Sequence, residues 1–140
     1  QQYICFKLGN FERYGLPYHA IKEVLLNVTP TPVPNTPAWI AGIINRHGLL
    51  LAILDLKPFF HITSESRDSR SHLIVVNTNG ITCAILVDRI EGSDTYNPKN
   101  LEASLVADGA INPKYVIGLH QGLTAILNIE ALIADLHFNQ

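Results

Sequence analysis

What this 140-residue sequence lacks narrows its role. Charged residues make up only 16% and the formal net charge is −2, which removes the electrostatic case for nucleic acid or an anionic membrane. No apolar run approaches the roughly 20 residues a bilayer-spanning helix needs, so direct membrane insertion is not expected. No glycine cluster opens a helix, so there is no phosphate-binding loop. Cysteine is limited to Cys5 and Cys83, each inside an apolar strand pattern, and no Cys-x-x-Cys occurs. Such cysteines read as reduced core residues, which suits a cytoplasmic protein. The six histidines (His19, His47, His61, His72, His120 and His137) fall outside metal-ligand spacing, so neither metal nor cofactor is expected. The chain has no methionine and begins at Gln1, so its native start is expected to lie elsewhere, and the want of a signal peptide decides nothing.

What is present is apolar. A hydrophobic content of 47% and a mean hydropathy of +0.16 fit many short buried strands, or an apolar face reserved for a partner. The length allows one domain or two small, intimately packed lobes.

Tyr3 to Leu8 reads as a strand, Gly9-Asn10 as a turn and Phe11 to Leu16 as the returning strand. His19 to Val24 reads as a short helical turn leading into Leu25 to Val28. Residues 29–37 hold four prolines and read as a rigid crossover rather than a polyproline ligand. Trp39 to Ile44 and Leu49 to Leu56 flank the polar break Asn45-Arg46-His47-Gly48. They predict a central hairpin buried on both faces, with Asp55 and Pro58 stopping its second strand. Ile62 to Ser71 is polar and aperiodic, and reads as a solvated loop. His72 to Asn77, a type I′ Asn79-Gly80 turn and Ile81 to Ile90 predict another hairpin. Glu91 to Asn112 is turn-rich. Tyr115 to His120, Gln121-Gly122 and Leu123 to Ile129 predict a last hairpin. Asn128 then caps a helix whose Ile129, Leu132, Ile133 and Leu136 form one apolar stripe. Short strands at this spacing indicate a mainly β barrel or sandwich.

Enzyme chemistry finds little support. Asp55 and Asp88 each close an apolar strand and read as turn caps rather than an acid–base pair. Ser64, Ser66, Ser69 and Ser71 sit where a nucleophile could not be held in register.

The run from Asn35 to Lys57 carries a resemblance. N-T-P-A-W-I-A-G-I-I-N-R-H-G followed by L-L-L-A-I-L-D-L-K resembles the signature of CheW-like domains, adaptors of bacterial chemotaxis. That signature reads N-T-P-A-aromatic-I-x-G-apolar-apolar-N-L-R-G, then an apolar strand with P-apolar-apolar-D-L-R. The likeness extends through Phe6-x-Leu8-Gly9, Tyr14-Gly15-Leu16, Glu23-Val24, Ala84 to Asp88 and Ile126 to Ile129. It implies two five-stranded, SH3-like β-barrel subdomains around a shared apolar core, plus a C-terminal α-helix, as a single domain over 1–140. It also implies a non-enzymatic adaptor with two partners: the regulatory domain of a CheA-type histidine kinase and the cytoplasmic tip of a chemoreceptor. A regulatory domain detached from a hybrid kinase or receiver fusion, and an adaptor of pilus-driven surface motility, stay open beside it. From another class, a small β-barrel enzyme or ligand carrier would need convergent polar groups in a deep pocket.

In the family a glutamate after the second strand lies near the arginine of the N-L-R-G turn, and both matter for receptor coupling. By resemblance the glutamate is Glu23 and the turn positions are Arg46 and His47. Here the turn reads N-R-H-G, so histidine stands where arginine is usual. A Glu23–His47 contact implies receptor affinity that weakens as pH rises past neutrality. Compensation by Arg46 would need a distorted turn, because neighbours on a strand face opposite ways. Ala52 replaces the usual proline, a structurally mild change. The implied receptor-facing patch is completed by Ile21, Ser71, His72, Arg89 and Ile90.

Overall fold

The computed structural model describes residues 1–9, 12–62, 71–102 and 112–138. Ten strands and two α-helices follow in chain order: β1 (Gln2–Leu8), β2 (Glu12–Pro17), β3 (Ile21–Val28), β4 (Ile40–Arg46), β5 (Leu49–Asp55), α1 (Leu56–Phe59), β6 (Ser71–Thr78), β7 (Ile81–Val87), β8 (Arg89–Thr95), β9 (Val116–His120), β10 (Thr124–Leu127) and α2 (Ile129–Phe138). They form two five-stranded sheets, ordered β8-β1-β2-β10-β9 and β3-β6-β7-β5-β4. The mainly β class, the two sheets and the terminal helix are as the sequence predicts.

Both sheets contribute to one core. Phe6, Leu8, Tyr14 and Leu16 of the first meet Leu54, Ile74, Val76 and Ile85 of the second, and α2 seals them with Ile129, Leu132, Ile133 and Leu136. Each such buried side chain is worth about 1.5–3 kcal/mol of transfer free energy. The opposite face of the second sheet encloses its own cluster of Ile44, Leu51, Ile53, Leu73, Val75, Ala84 and Leu86. That of the first sheet encloses Tyr3, Cys5, Tyr96 and Ile126.

The two sheets are built on one plan. Each holds one parallel pair, Ile53 with Ala84 and Ile126 with Gly15. They share two bulges, between Ile21 and Glu23 as between Ile90 and Gly92, and between Ile40 and Gly42 as between Val116 and Gly118, while β3 has a further shift between Leu25 and Val28. An isolated bridge joins Thr31 to Ile43 in one and Glu102 to Leu119 in the other. Beside each bridge sits a glycine that no other residue could replace without movement. A Cβ on Gly42 would lie 2.5 Å from the Thr31 carbonyl oxygen, and one on Gly118 2.8 Å from Leu101 Cβ and 3.0 Å from the Glu102 carbonyl oxygen. Asp55 then caps α1 as Asn128 caps α2, each through a side-chain oxygen that accepts a backbone N–H.

Several expectations need correction. His19 to Val24 is not helical throughout: a 3-10 turn spans Tyr18–Ala20 and the strand begins at Ile21, where alternation takes over. Ile81 to Ile90 is not one strand. It breaks at Asp88, and Arg89 starts a strand of the other sheet, which also claims part of the turn-rich segment after Glu91. Asp55 ends β5, but Pro58 lies inside α1, where the first helical turn tolerates proline. The central hairpin is not buried on both faces, since its tip overhangs the sheet and leaves Leu49 55% and Leu50 69% exposed. Of the polar loop, 63–70 lie outside the described residues.

Candidate partner-binding site

Strand β4 turns into β5 through His47 and Gly48, whose φ of 54° and 82° make a two-residue hairpin of the primed kind that matches strand twist. Gly48 N–H also donates to Asn45 Oδ1 at 3.2 Å. The related β9–β10 hairpin closes earlier, with His120 facing Thr124 where β4–β5 has Ile44 facing Leu51. The central hairpin therefore carries two extra rungs, Asn45 with Leu50 and Arg46 with Leu49. This overhang has no counterpart in the β9–β10 hairpin.

Arg46 lies two residues beyond Ile44 and shares its inward face. Glu23 lies two residues before Leu25 and faces the same cluster. Because β3 and β4 are the two edges of a curled sheet, these inward positions meet at its mouth. Arg46 Nε donates to Glu23 Oε1 at 2.6 Å, and Nη2 reaches Oε2 at 3.5 Å. The side chains are 40% and 30% exposed. The hydrogen bond from Arg46 holds the Glu23 carboxyl below the usual range, helped by the charges of Arg46, His47 and Lys22, and the same bond raises the Arg46 guanidinium.

The expected Glu23–His47 contact is thus replaced by Glu23–Arg46, with no distorted turn. Strand alternation already points Arg46 inward, and His47 sits exposed in the turn itself. Ile21 is on the same strand as Glu23, at the bulge, packed against the shared core. Ser71 is buried opposite Val28, and His72 accepts the Asn27 backbone N–H on Nδ1 at 3.2 Å. Arg89 and Ile90 lie on β8 of the other sheet, opposite Lys7 and Phe6. Ile90 is the counterpart of Ile21, since both stand at equivalent bulges and both pack on the shared core. The eight residues therefore fall on β3, β6 and the β4 hairpin of one sheet and on β8 of the other, and among them a side-chain bond joins Glu23 to Arg46.

Sequence reading missed the apolar surface around this pair. Val24 and Leu26 on β3 and Leu49 and Leu50 on the overhang are exposed. The signal for the first two was available in the alternation of β3; an uninterrupted apolar run concealed the others.

The carboxylates once weighed as an acid–base pair serve structure. Asp55 caps α1, while Asp88 accepts Gly9 N–H at 2.6 Å and pairs with the buried Lys57. Histidines pair singly, His19 with Glu130 and His120 with Tyr3. Among the described residues no three His, Cys, Asp or Glu side chains gather as a metal site. Nor is any helix among them long and apolar enough to cross a membrane.

Comparison with known proteins agrees with this fold. The CheW-like domain matches residues 2–137. Protein FrzA of Myxococcus xanthus is 32% identical over 66% of this chain and 57% of its own length. The chemotaxis protein CheW of Klebsiella aerogenes is 26% identical over 96% of the chain and 82% of its own length. The crystal structure of the scaffolding protein TtCheW from Thermoanaerobacter tengcongensis superposes with a TM-score of 0.81 at 26% identity, covering 95% of this chain and 92% of that one. The chain belongs to the CheW-like domain family of chemotaxis scaffolds.

Proposed function

We propose that this chain is a cytoplasmic adaptor that couples a chemoreceptor tip to the regulatory domain of a CheA-type histidine kinase. It acts as a single domain and leaves catalysis to the kinase. The observation that carries the reading is the overhanging hairpin, which sets the Arg46–Glu23 pair beside exposed Leu49 at the mouth of a curled sheet. An adaptor needs such a surface, because coupling requires only contacts that differ between receptor states. The proposed receptor-facing patch comprises Ile21, Glu23, Arg46 and His47 around this mouth, with Ser71 and His72 on the neighbouring β6 and Arg89 and Ile90 on β8, the related edge of the other sheet.

Titration calorimetry with a purified CheA-type regulatory domain, followed by addition of receptor fragments, tests the reading. Micromolar or tighter binding to the kinase domain is expected. Arg46→Glu should weaken the receptor step and spare the kinase step, with Glu23→Arg in the same chain restoring it. Absence of binding to any such kinase domain sinks the proposal.

A further inference from the structure

The internal likeness of the two sheets exposes a gap in one of them. The registers equate Ala52 with Ala125, Cys83 with Tyr14 and Val76 with Phe6. In each sheet the first pair lies on neighbouring parallel strands and the last two face each other across a hairpin. The following elements equate Trp39 with Tyr115 and, through the two capped helices, Phe60 with Ile133.

In the first sheet these positions are packed with rings. Tyr14 stacks on Phe6 at a centroid distance of 5.9 Å and on Phe60 at 5.5 Å, with interplanar angles of 28° and 26°. In the second, Cys83 stands where Tyr14 would be. Beside it lies a groove of about 110 Å³ lined by Trp39, Ala52, Ile81, Cys83, Ile133 and Leu136. The groove is the space of one missing ring, left open on the surface between α2, β5 and β7.

We propose that this groove is an anchor site for a single aromatic ring, the Phe or Tyr side chain of a protein partner. Its size argues for a side chain rather than a free metabolite, since pockets for drug-sized ligands run from about 300 Å³ upward, whereas an apolar cavity near 150 Å³ accepts one benzene. The chain itself shows the preferred occupant, because the equivalent space holds Tyr14 between two other rings. Trp39 supplies an aromatic wall, and buried anchors of this kind carry much of the energy of protein interfaces. The site stands apart from the Glu23–Arg46 mouth and does not depend on which partner the adaptor reading supplies.

Trp39 is the only tryptophan, so its emission reports on the groove alone. The full chain is titrated with N-acetyl-phenylalanine amide, with N-acetyl-leucine amide as the non-aromatic control and toluene as the free ring. Two filled variants are titrated beside it, Cys83→Phe from within and Ala52→Leu from the rim, each checked for folding by its melting transition. The expected result is a saturable shift with the phenylalanine amide at millimolar concentration. Binding should be about tenfold or more weaker for the leucine amide and for whichever filled variant folds. No shift, an equal shift with leucine amide, or an undiminished shift in a folded filled variant overturns the proposal. A response to toluene without one to the phenylalanine amide overturns the assignment to a protein partner.

Discussion

Glu23 and Arg46 stand on opposite edge strands of one five-stranded sheet, yet their side chains meet at 2.6 Å. The pair ties the β3 edge to the overhang of the central hairpin, beyond the Thr31–Ile43 bridge that joins the segment after β3 to β4. Its pH dependence follows from its chemistry. Glu23 is held below its ordinary value by the bond from Arg46, so the pair contributes stability that is fully present above about pH 4.3, the unfolded glutamate value. That contribution is lost as pH falls through the lower folded value. Urea midpoints of the wild type and Arg46→Gln should therefore differ by a constant amount from pH 5 to 8 and converge in acid. Equal midpoints at every pH would show that Arg46 does not hold Glu23 in solution.

Much of this fold is readable in the sequence because strands and turns are local. Asn79-Gly80 and Gln121-Gly122 turn where they should, at positive φ, and Asn128 caps α2. The central signature led directly to Glu23 and the N-R-H-G turn. The partner of Glu23 did not follow, because it depends on sheet curl, which brings two edge strands together. The internal likeness was hidden for a related reason. Ala52-Ile53-Leu54-Asp55 and Ala125-Ile126-Leu127-Asn128 betray it, but matches elsewhere are single residues such as Gly42 with Gly118, other equivalent positions differ in kind, as Cys83 and Tyr14 do, and only register aligns them.

The two bridge glycines should tolerate a side chain poorly. Gly42→Ala drives a methyl group into the Thr31 carbonyl oxygen, and backbone cannot yield there without loss of the Thr31–Ile43 bridge. A cost of about 1–3 kcal/mol is expected from chemical denaturation, as for other overpacked sites. Gly48→Ala meets nothing within 4 Å and strains only its positive φ, so about 1 kcal/mol is expected. Equal losses at the two positions would refute the close-approach argument.

Thr78 offers a gain. Its hydroxyl is buried on the strand that carries Ile74 and Val76 and has no hydrogen-bond partner among the described residues. Valine keeps the branched shape and removes the desolvated oxygen, so Thr78→Val should raise stability by about 1 kcal/mol. A melting temperature that falls would mean that the hydroxyl is satisfied in solution.

Helix α2 is clasped at its outer side by Asp135, which accepts from the Tyr115 hydroxyl at 2.5 Å and from Lys114 Nζ at 2.9 Å. Burial, and then the bond to Asp135, push the Tyr115 phenol up to about 12. A phenol raised in the folded state contributes stability that is complete below its unfolded value near 10 and disappears as pH rises through about 12. Tyr115→Phe should therefore lower stability at neutral pH, and its deficit should shrink between pH 10 and 12. Asp135→Asn should bring the Tyr115 titration only part of the way back, because burial remains the larger cause. Spectrophotometric titration of the wild type against Tyr115→Phe isolates this phenol from the other tyrosines. A difference spectrum that titrates near 10 would show that Tyr115 is solvated in solution, with neither burial nor the bond to Asp135 holding its phenol.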